Sequence, residues 1–170
     1  MRKQAVFLQK AFTDVDTTPQ YPGQLGMVVH DYASNASFQY VLMSATAGDA
    51  STPTAAATLL ARWKNSVGFT ITSLYASSQG ATNAVAGILK SSLTVGTYGW
   101  IQKSGKCVVV CDGTAAVGTL AVDDGTDNGT VTCVAVGTAP TARPVGVVVS
   151  VTSPYSSTAP LVKLSLMKGE

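Results

Sequence analysis

The chain carries a single histidine, His30, and a single glutamate, Glu170, and these two scarcities remove most enzymatic designs before any fold is considered. A Ser-His-Asp triad would have to use His30, and no G-x-S-x-G turn is there to present a serine. A Cys-His pair would draw on the same histidine with Cys107, Cys111 or Cys133, whose flanking residues support no such arrangement. His30 is expected to be a strand histidine with a satisfied ring. P-loop and Rossmann fingerprints are missing as well, since SSQGATNAVAG (residues 77–87) has glycines at the wrong spacing and no βαβ surroundings. The chain is therefore expected not to be an enzyme, with no catalytic residue and no cofactor.

Charge is scarce too. Asp, Glu, Lys and Arg make up 12% of the residues, against roughly 25% in ordinary soluble proteins. The eleven Lys and Arg stand singly apart from Arg2-Lys3. They form no clustered basic stripe of the kind nucleic acid requires, so no direct nucleic-acid partner is expected. A surface covered by Ser, Thr, Gly, Ala and Gln repels its own copies weakly, which suits a subunit packed against neighbours.

Long apolar runs are absent: nothing approaches the ~20 residues of a membrane-spanning helix, so no membrane partner is expected. The apolar AVFL after the basic start is cut by Gln9 and Lys10, which argues against a signal peptide. On that basis the protein is expected to begin at or next to Met1 and to be made in a cytoplasm. Cysteine is limited to three residues, which cannot all pair among themselves. If CVVVC is a strand, Cys107 and Cys111 stand ~13 Å apart, beyond disulfide reach. They read as free buried thiols. A zinc site would need all three cysteines and His30 at spacings that fit no common finger, so no metal is expected.

What is present is β patterning. At 170 residues, one domain is the default. Residues 1–20 mix charge with apolar positions and read as an N-terminal arm, followed by a single β-rich domain over 21–170. Met27–His30 and Phe38–Ser44 are two strand candidates around the turn-like ASNAS. STPTAAATLLARWKN (residues 51–65) is ambiguous: Ser51 or Thr52 could cap a short helix with Pro53 in its first turn, or Leu60–Trp63 could be a strand, which its β surroundings favour. VGFTITSLY predicts a strand with Val67, Phe69, Ile71 and Ser73 on one face.

From Asn83 onward, NAVAGILKSSL, the predicted hairpin YGWIQKSGKCVVVC, TLAV, TVTCVAV, PVGVVVSV and PLVKLSLM follow at roughly ten- to fifteen-residue intervals, the rhythm of a sandwich or barrel. Ser104-Gly105 reads as the hairpin turn. PVGVVVSV places Val145, Val147, Val149 and Val151 on one face. PLVKLSLM sets Val162, Leu164 and Leu166 against Lys163 and Ser165. Val-Gly-Thr recurs at Val95, Val117 and Val136 with unequal separations, which reads as repeated turn chemistry and not a solenoid. In the loop 123–130, Asp123, Asp124, Asp127 and Asn128 could offer oxygens to calcium, but without the EF-hand register turn propensity alone explains them. Trp63, Trp100 and the tyrosines read as core and interface anchors, the alternative being a sugar-stacking platform. The expected fold class is all-β, mainly antiparallel, a β-sandwich or barrel-like domain with an extended N-terminal arm and at most one short helix.

The stretch LTVGTYGWIQKSGKCVVVCDGTAAVGTLAV, followed by a polar loop, a valine strand and RPVGVVVSV, resembles the decoration or cement proteins of tailed bacteriophages. The matching positions are Gly96, Tyr98, Gly99-Trp100, Ile101-Gln102 and Gly105, with Val145-Gly146-Val147 late in the chain. The resemblance covers about Asn83 to Met167. It implies a homotrimeric virion protein, assembled in the host bacterial cytoplasm and bound to the capsid exterior, with the major capsid protein as partner. A phage tail, fibre or head-spike component and a carbohydrate-binding module are the alternative functions.

Overall fold

The structure is a computed structural model that describes residues 11–19, 25–43, 54–55, 58–72, 84–123, 129–135, 137 and 143–166. Among these residues the regular structure is all β and mostly antiparallel, with no helix. The strands are β1 (Val28–Asp31), β2 (Ala36–Met43), β3 (Thr54–Ala55), β4 (Leu60–Asn65), β5 (Thr70–Thr72), β6 (Val85–Leu89) and β7 (Leu93–Thr94). They continue with β8 (Tyr98–Gln102), β9 (Ser104–Val108), β10 (Cys111–Asp112), β11 (Leu120–Asp123), β12 (Val131–Val134), β13 (Arg143–Ser150) and β14 (Leu161–Ser165).

Strands β2, β5, β4, β6 and β8 close into a five-stranded barrel, because β8 pairs with β2 as well as with β6. The β2–β5 pairing is parallel and the others are antiparallel. Strand β1 lies on the side of β2 that β5 also uses, one residue block earlier: Val28 pairs with Gln39, whereas Leu42 pairs with Thr70. A second sheet has the order β10-β12-β11-β13-β14-β9, and β3 and β7 form a small ribbon.

Period-two alternation on β2 builds two cores at once. Val41 and Met43 point into the barrel with Ala61, Ile71, Ala86, Leu89, Leu93 and Ile101. Ala36, Phe38 and Tyr40 point outward and pack with Trp100. A third cluster joins Leu60 and Ile88 of the barrel to Cys107, Val109, Val145, Val148, Val162 and Leu164 of the second sheet. The two sheets thus share buried apolar surface.

The ambiguous stretch 51–65 is strand where described: Leu60–Asn65 is hydrogen-bonded on both sides, to β5 and β6, and this ladder overrides local helix signals. The strand predicted from Val67 starts later. Residues 66–69 turn, Val67 is 87% exposed, and Phe69 takes a left-handed φ of 48° before β5 begins. Ser73 lies outside the described residues.

The predicted hairpin at Ser104-Gly105 is corrected. Strand β8 belongs to the barrel, whereas β9 pairs with β14 in the second sheet, so the chain crosses between sheets here. Gly105 does have a positive φ, 87°, but its role is close approach: a Cβ there would lie 2.8 Å from both the Ala36 Cβ and the Asn35 carbonyl oxygen. The CVVVC run is likewise not one strand, since β9 ends at Val108 and β10 starts at Cys111.

PLVKLSLM alternates as predicted, with Val162 and Leu164 buried and Lys163 and Ser165 exposed. PVGVVVSV does not. Irregularities opposite Ala121/Val122 and at Val148/Ser150 shift its register, so Val145 and Val148 are buried while Val147 faces out. A bulge inserts a residue and reverses the phase of the side chains after it.

Two Val-Gly-Thr sites are the same turn. In each, the threonine N–H and hydroxyl both donate to the carbonyl three residues back: Thr97 to Thr94 at 3.0 and 2.7 Å, Thr119 to Ala116 at 3.1 and 2.7 Å. Gly96 and Gly118 sit at φ 78° and 86°, as the third position of a type II turn requires. A Cβ at Gly118 would meet nothing within 4 Å, so substitution there is opposed by backbone conformation alone. Gly118→Ala is expected to cost about 1–2 kcal/mol in urea unfolding, and Gly118→Asn less. Equal losses for both variants would contradict the turn assignment.

Candidate interaction surface

The β1–β2 hairpin is shaped by its turn. The Asp31 carboxylate accepts hydrogen bonds from the Ala33 N–H at 3.1 Å and the Ser34 hydroxyl at 2.5 Å, and Asn35 takes a left-handed φ of 50°. The Ser34 bond, then the Ala33 bond, holds the Asp31 pKa below the usual carboxylate value. The turn projects Tyr32, 88% exposed, and at the other end of β1, a strand that ends its sheet, Val28 is 59% exposed. An outer strand edge with exposed apolar side chains is a surface on which another chain can add.

His30 stands on the same strand. Its Nδ1 lies 3.1 Å from the Ser37 hydroxyl oxygen, and its ring meets Tyr32 edge-on at 4.8 Å. The neighbouring Asp31 carboxylate is engaged with the turn, and His30 and Tyr32 make a surface aromatic pair.

Beside this edge, the barrel and second sheet bound a groove of about 1070 Å³, lined by Val28, Trp63 and Phe69 on one side and Arg143, Pro144 and Leu166 on the other. Trp63 packs edge-on against Phe69 at 6.3 Å, and the Lys103 ammonium lies 5.2 Å from the Trp63 ring centroid. Burial lowers the Lys103 pKa from its ordinary value. Trp100, in contrast, is 3% exposed and belongs to the core with Tyr40, so these two cannot offer a face to a sugar ring.

Part of the predicted arm is folded onto the domain itself. Phe12 stacks on Phe38 at 3.9 Å and meets Trp100 edge-on at 5.3 Å. Asp16 exchanges two backbone hydrogen bonds with Tyr98 and accepts a third from the Tyr40 hydroxyl at 3.0 Å. The ring partners of Phe12 are therefore in this chain. Val6, Phe7 and Leu8 lie outside the described residues.

Of the four candidate calcium ligands, Asp123 is buried, and its carboxylate accepts from Arg62 Nε at 3.1 Å and Nη2 at 2.5 Å. This two-pronged pair ties β4 of the barrel to β11 of the second sheet. Asp124, Asp127 and Asn128 lie outside the described residues. Sequence inspection missed the pair because its members are 61 positions apart. Among the described residues no group of three or more His, Cys, Asp or Glu side chains is placed to hold a metal. No helix among them is long and apolar enough to cross a membrane.

The cysteines divide. Cys107 is buried in β9, and desolvation pushes its thiol up to about 11. Cys111 and Cys133 bring their sulfurs to 3.0 Å. Burial, then the hydrogen bond with Cys133, pushes the Cys111 thiol up to about 12.

No protein-family model matches the chain, and no curated protein sequence matches it. Among solved structures it is similar to the N base of head fiber gp8.5 in bacteriophage phi29, with 12% identity and a TM-score of 0.49 over 78% of this chain and 97% of that one. A likeness of this size carries no argument about function.

Proposed function

We propose that this chain is a non-enzymatic structural protein of a tailed-bacteriophage virion. In this reading it is a decoration or cement subunit that binds the outer face of the icosahedral head and stabilises contacts between major capsid protein subunits. The observation that carries the reading is the β1 edge: Val28 is exposed on a strand that ends its sheet and lines an apolar groove, and Tyr32 is exposed in the turn that follows that strand. The charge-poor composition and the decoration-protein resemblance over Asn83 to Met167 support it. Strand addition and apolar burial are how a small β domain clamps larger subunits. The homotrimer rests on the same resemblance.

The test compares heat-induced DNA release from particles carrying the full chain, carrying a Val28→Lys/Tyr32→Ala variant, or lacking the protein. A ligand that binds only the intact lattice raises that lattice's melting point by mass action. The expected order is full chain highest, variant intermediate and bare particles lowest, with the variant binding at least ~10-fold more weakly, a change of about 1.4 kcal/mol. Identical melting in all three would sink the clamp and favour a fibre or receptor-binding role. Light scattering on the free protein and the particle checks the trimer, and a strict monomer in both settings would exclude it.

A further inference from the structure

We propose that Cys111 and Cys133 are a modification site, a dithiol that a small-molecule disulfide of the glutathione class converts into an intrachain disulfide. Strand β10 runs parallel to β12 with Cys111 opposite Val131, so Cys133, two residues on, shares the face of Val131. The two sulfurs stand 3.0 Å apart, and about 1 Å of movement brings them to bonding distance. Strand β10 ends its sheet, so that movement displaces one short strand and not the sheet's centre. Cys133 is half-buried and can be reached from solvent, whereas Cys107 is buried in β9 opposite Val162.

The chemistry is two exchanges. The Cys133 thiolate attacks one sulfur of the oxidised reagent, forming a mixed disulfide and releasing one glutathione thiolate. Cys111 then gives its proton to solvent, and its thiolate attacks the Cys133 sulfur, expelling the second glutathione thiolate. Two protein thiols are oxidised and one reagent disulfide is reduced to two thiols. The raised Cys111 thiol makes the second step gain with pH, by nearly tenfold per unit well below its pKa. The bond would close a loop of 22 positions that contains β11, and would tether the terminal strand β10.

The experiment treats the full chain with glutathione disulfide at alkaline pH and follows it by intact mass, thiol count and peptide mapping. The expected product is about 2 Da lighter than the reduced chain and retains one of its three thiols. The link should map to Cys111–Cys133, and the melting temperature should rise by roughly 5–10 °C and fall back on reduction. Cys107→Ser should still form the link. Cys133→Ser should leave no internal bond, and because Cys133 is half-buried that variant is expected to fold. Three thiols surviving treatment, a lasting glutathione adduct on Cys133, or a link through Cys107 or to a second chain would each overturn the proposal.

Discussion

Replacing Asp123 by Ala is expected to destabilise the chain by about 3–5 kcal/mol, because it takes away the carboxylate that pairs with the Arg62 guanidinium in the buried layer between the barrel and the second sheet. Arg62 is 1% exposed, and the Asp123 carboxylate takes two of its N–H donors. Removing the carboxylate deprives a buried guanidinium of its ion pair, a larger penalty than the net worth of the intact pair. Asp123→Asn keeps an acceptor oxygen and should lose less. Arg62→Met combined with Asp123→Leu removes both charges and should recover much of the loss, since well-packed apolar replacements of buried pairs are commonly neutral or better. Urea denaturation of the four proteins decides the matter. A loss below about 1 kcal/mol for Asp123→Ala would mean that water reaches the pair and that it does not join the two sheets.

A second large loss is expected at Trp100. Its ring packs at 5.1 Å from Tyr40 and 5.3 Å from Phe12, on the outer face of the barrel. Trp100→Ala should cost about 3–5 kcal/mol through lost burial and the cavity left behind. The effect should spread to residues 11–19, because Phe12 then keeps only its stack on Phe38. Limited proteolysis should cut that segment faster in the variant, while Trp100→Phe keeps the edge contact and most of the protection. Unchanged stability with lost sugar binding would instead restore the stacking-platform alternative. The same packing governs truncation experiments: removing residues 1–20 takes Phe12 and Asp16 out of the domain's own core, so a deletion aimed at the arm alone should stop at residue 10.

Residues whose consequences are local were legible. The alternation in PLVKLSLM specifies which side of β14 is buried, because each side chain's face follows from its neighbours two positions away. Val-Gly-Thr specifies its turn because glycine at a positive φ and a threonine that bonds back three residues need no partner elsewhere. The shortage of histidine, glutamate and charge acts the same way, since it narrows the available chemistry under any fold.

Ser104-Gly105 marks where such inference stops. A glycine at positive φ suits a hairpin turn and a crossing between sheets equally well, and the choice fell to the Ala36 backbone passing 3.0 Å from where a Cβ would be. In β13 the valines predict one continuous buried face, and the pairings with β11 and β14 shift the register so that Val147 emerges instead. Composition and periodicity alone determined that the regular structure is β, that two Val-Gly-Thr sites turn the chain and which face of β14 is buried. Tertiary structure alone decided that five strands close into a barrel, that Arg62 meets Asp123 and that Cys111 meets Cys133. Those contacts join residues 22 or 61 positions apart, and their geometry depends on strand order and register, which no local spacing encodes.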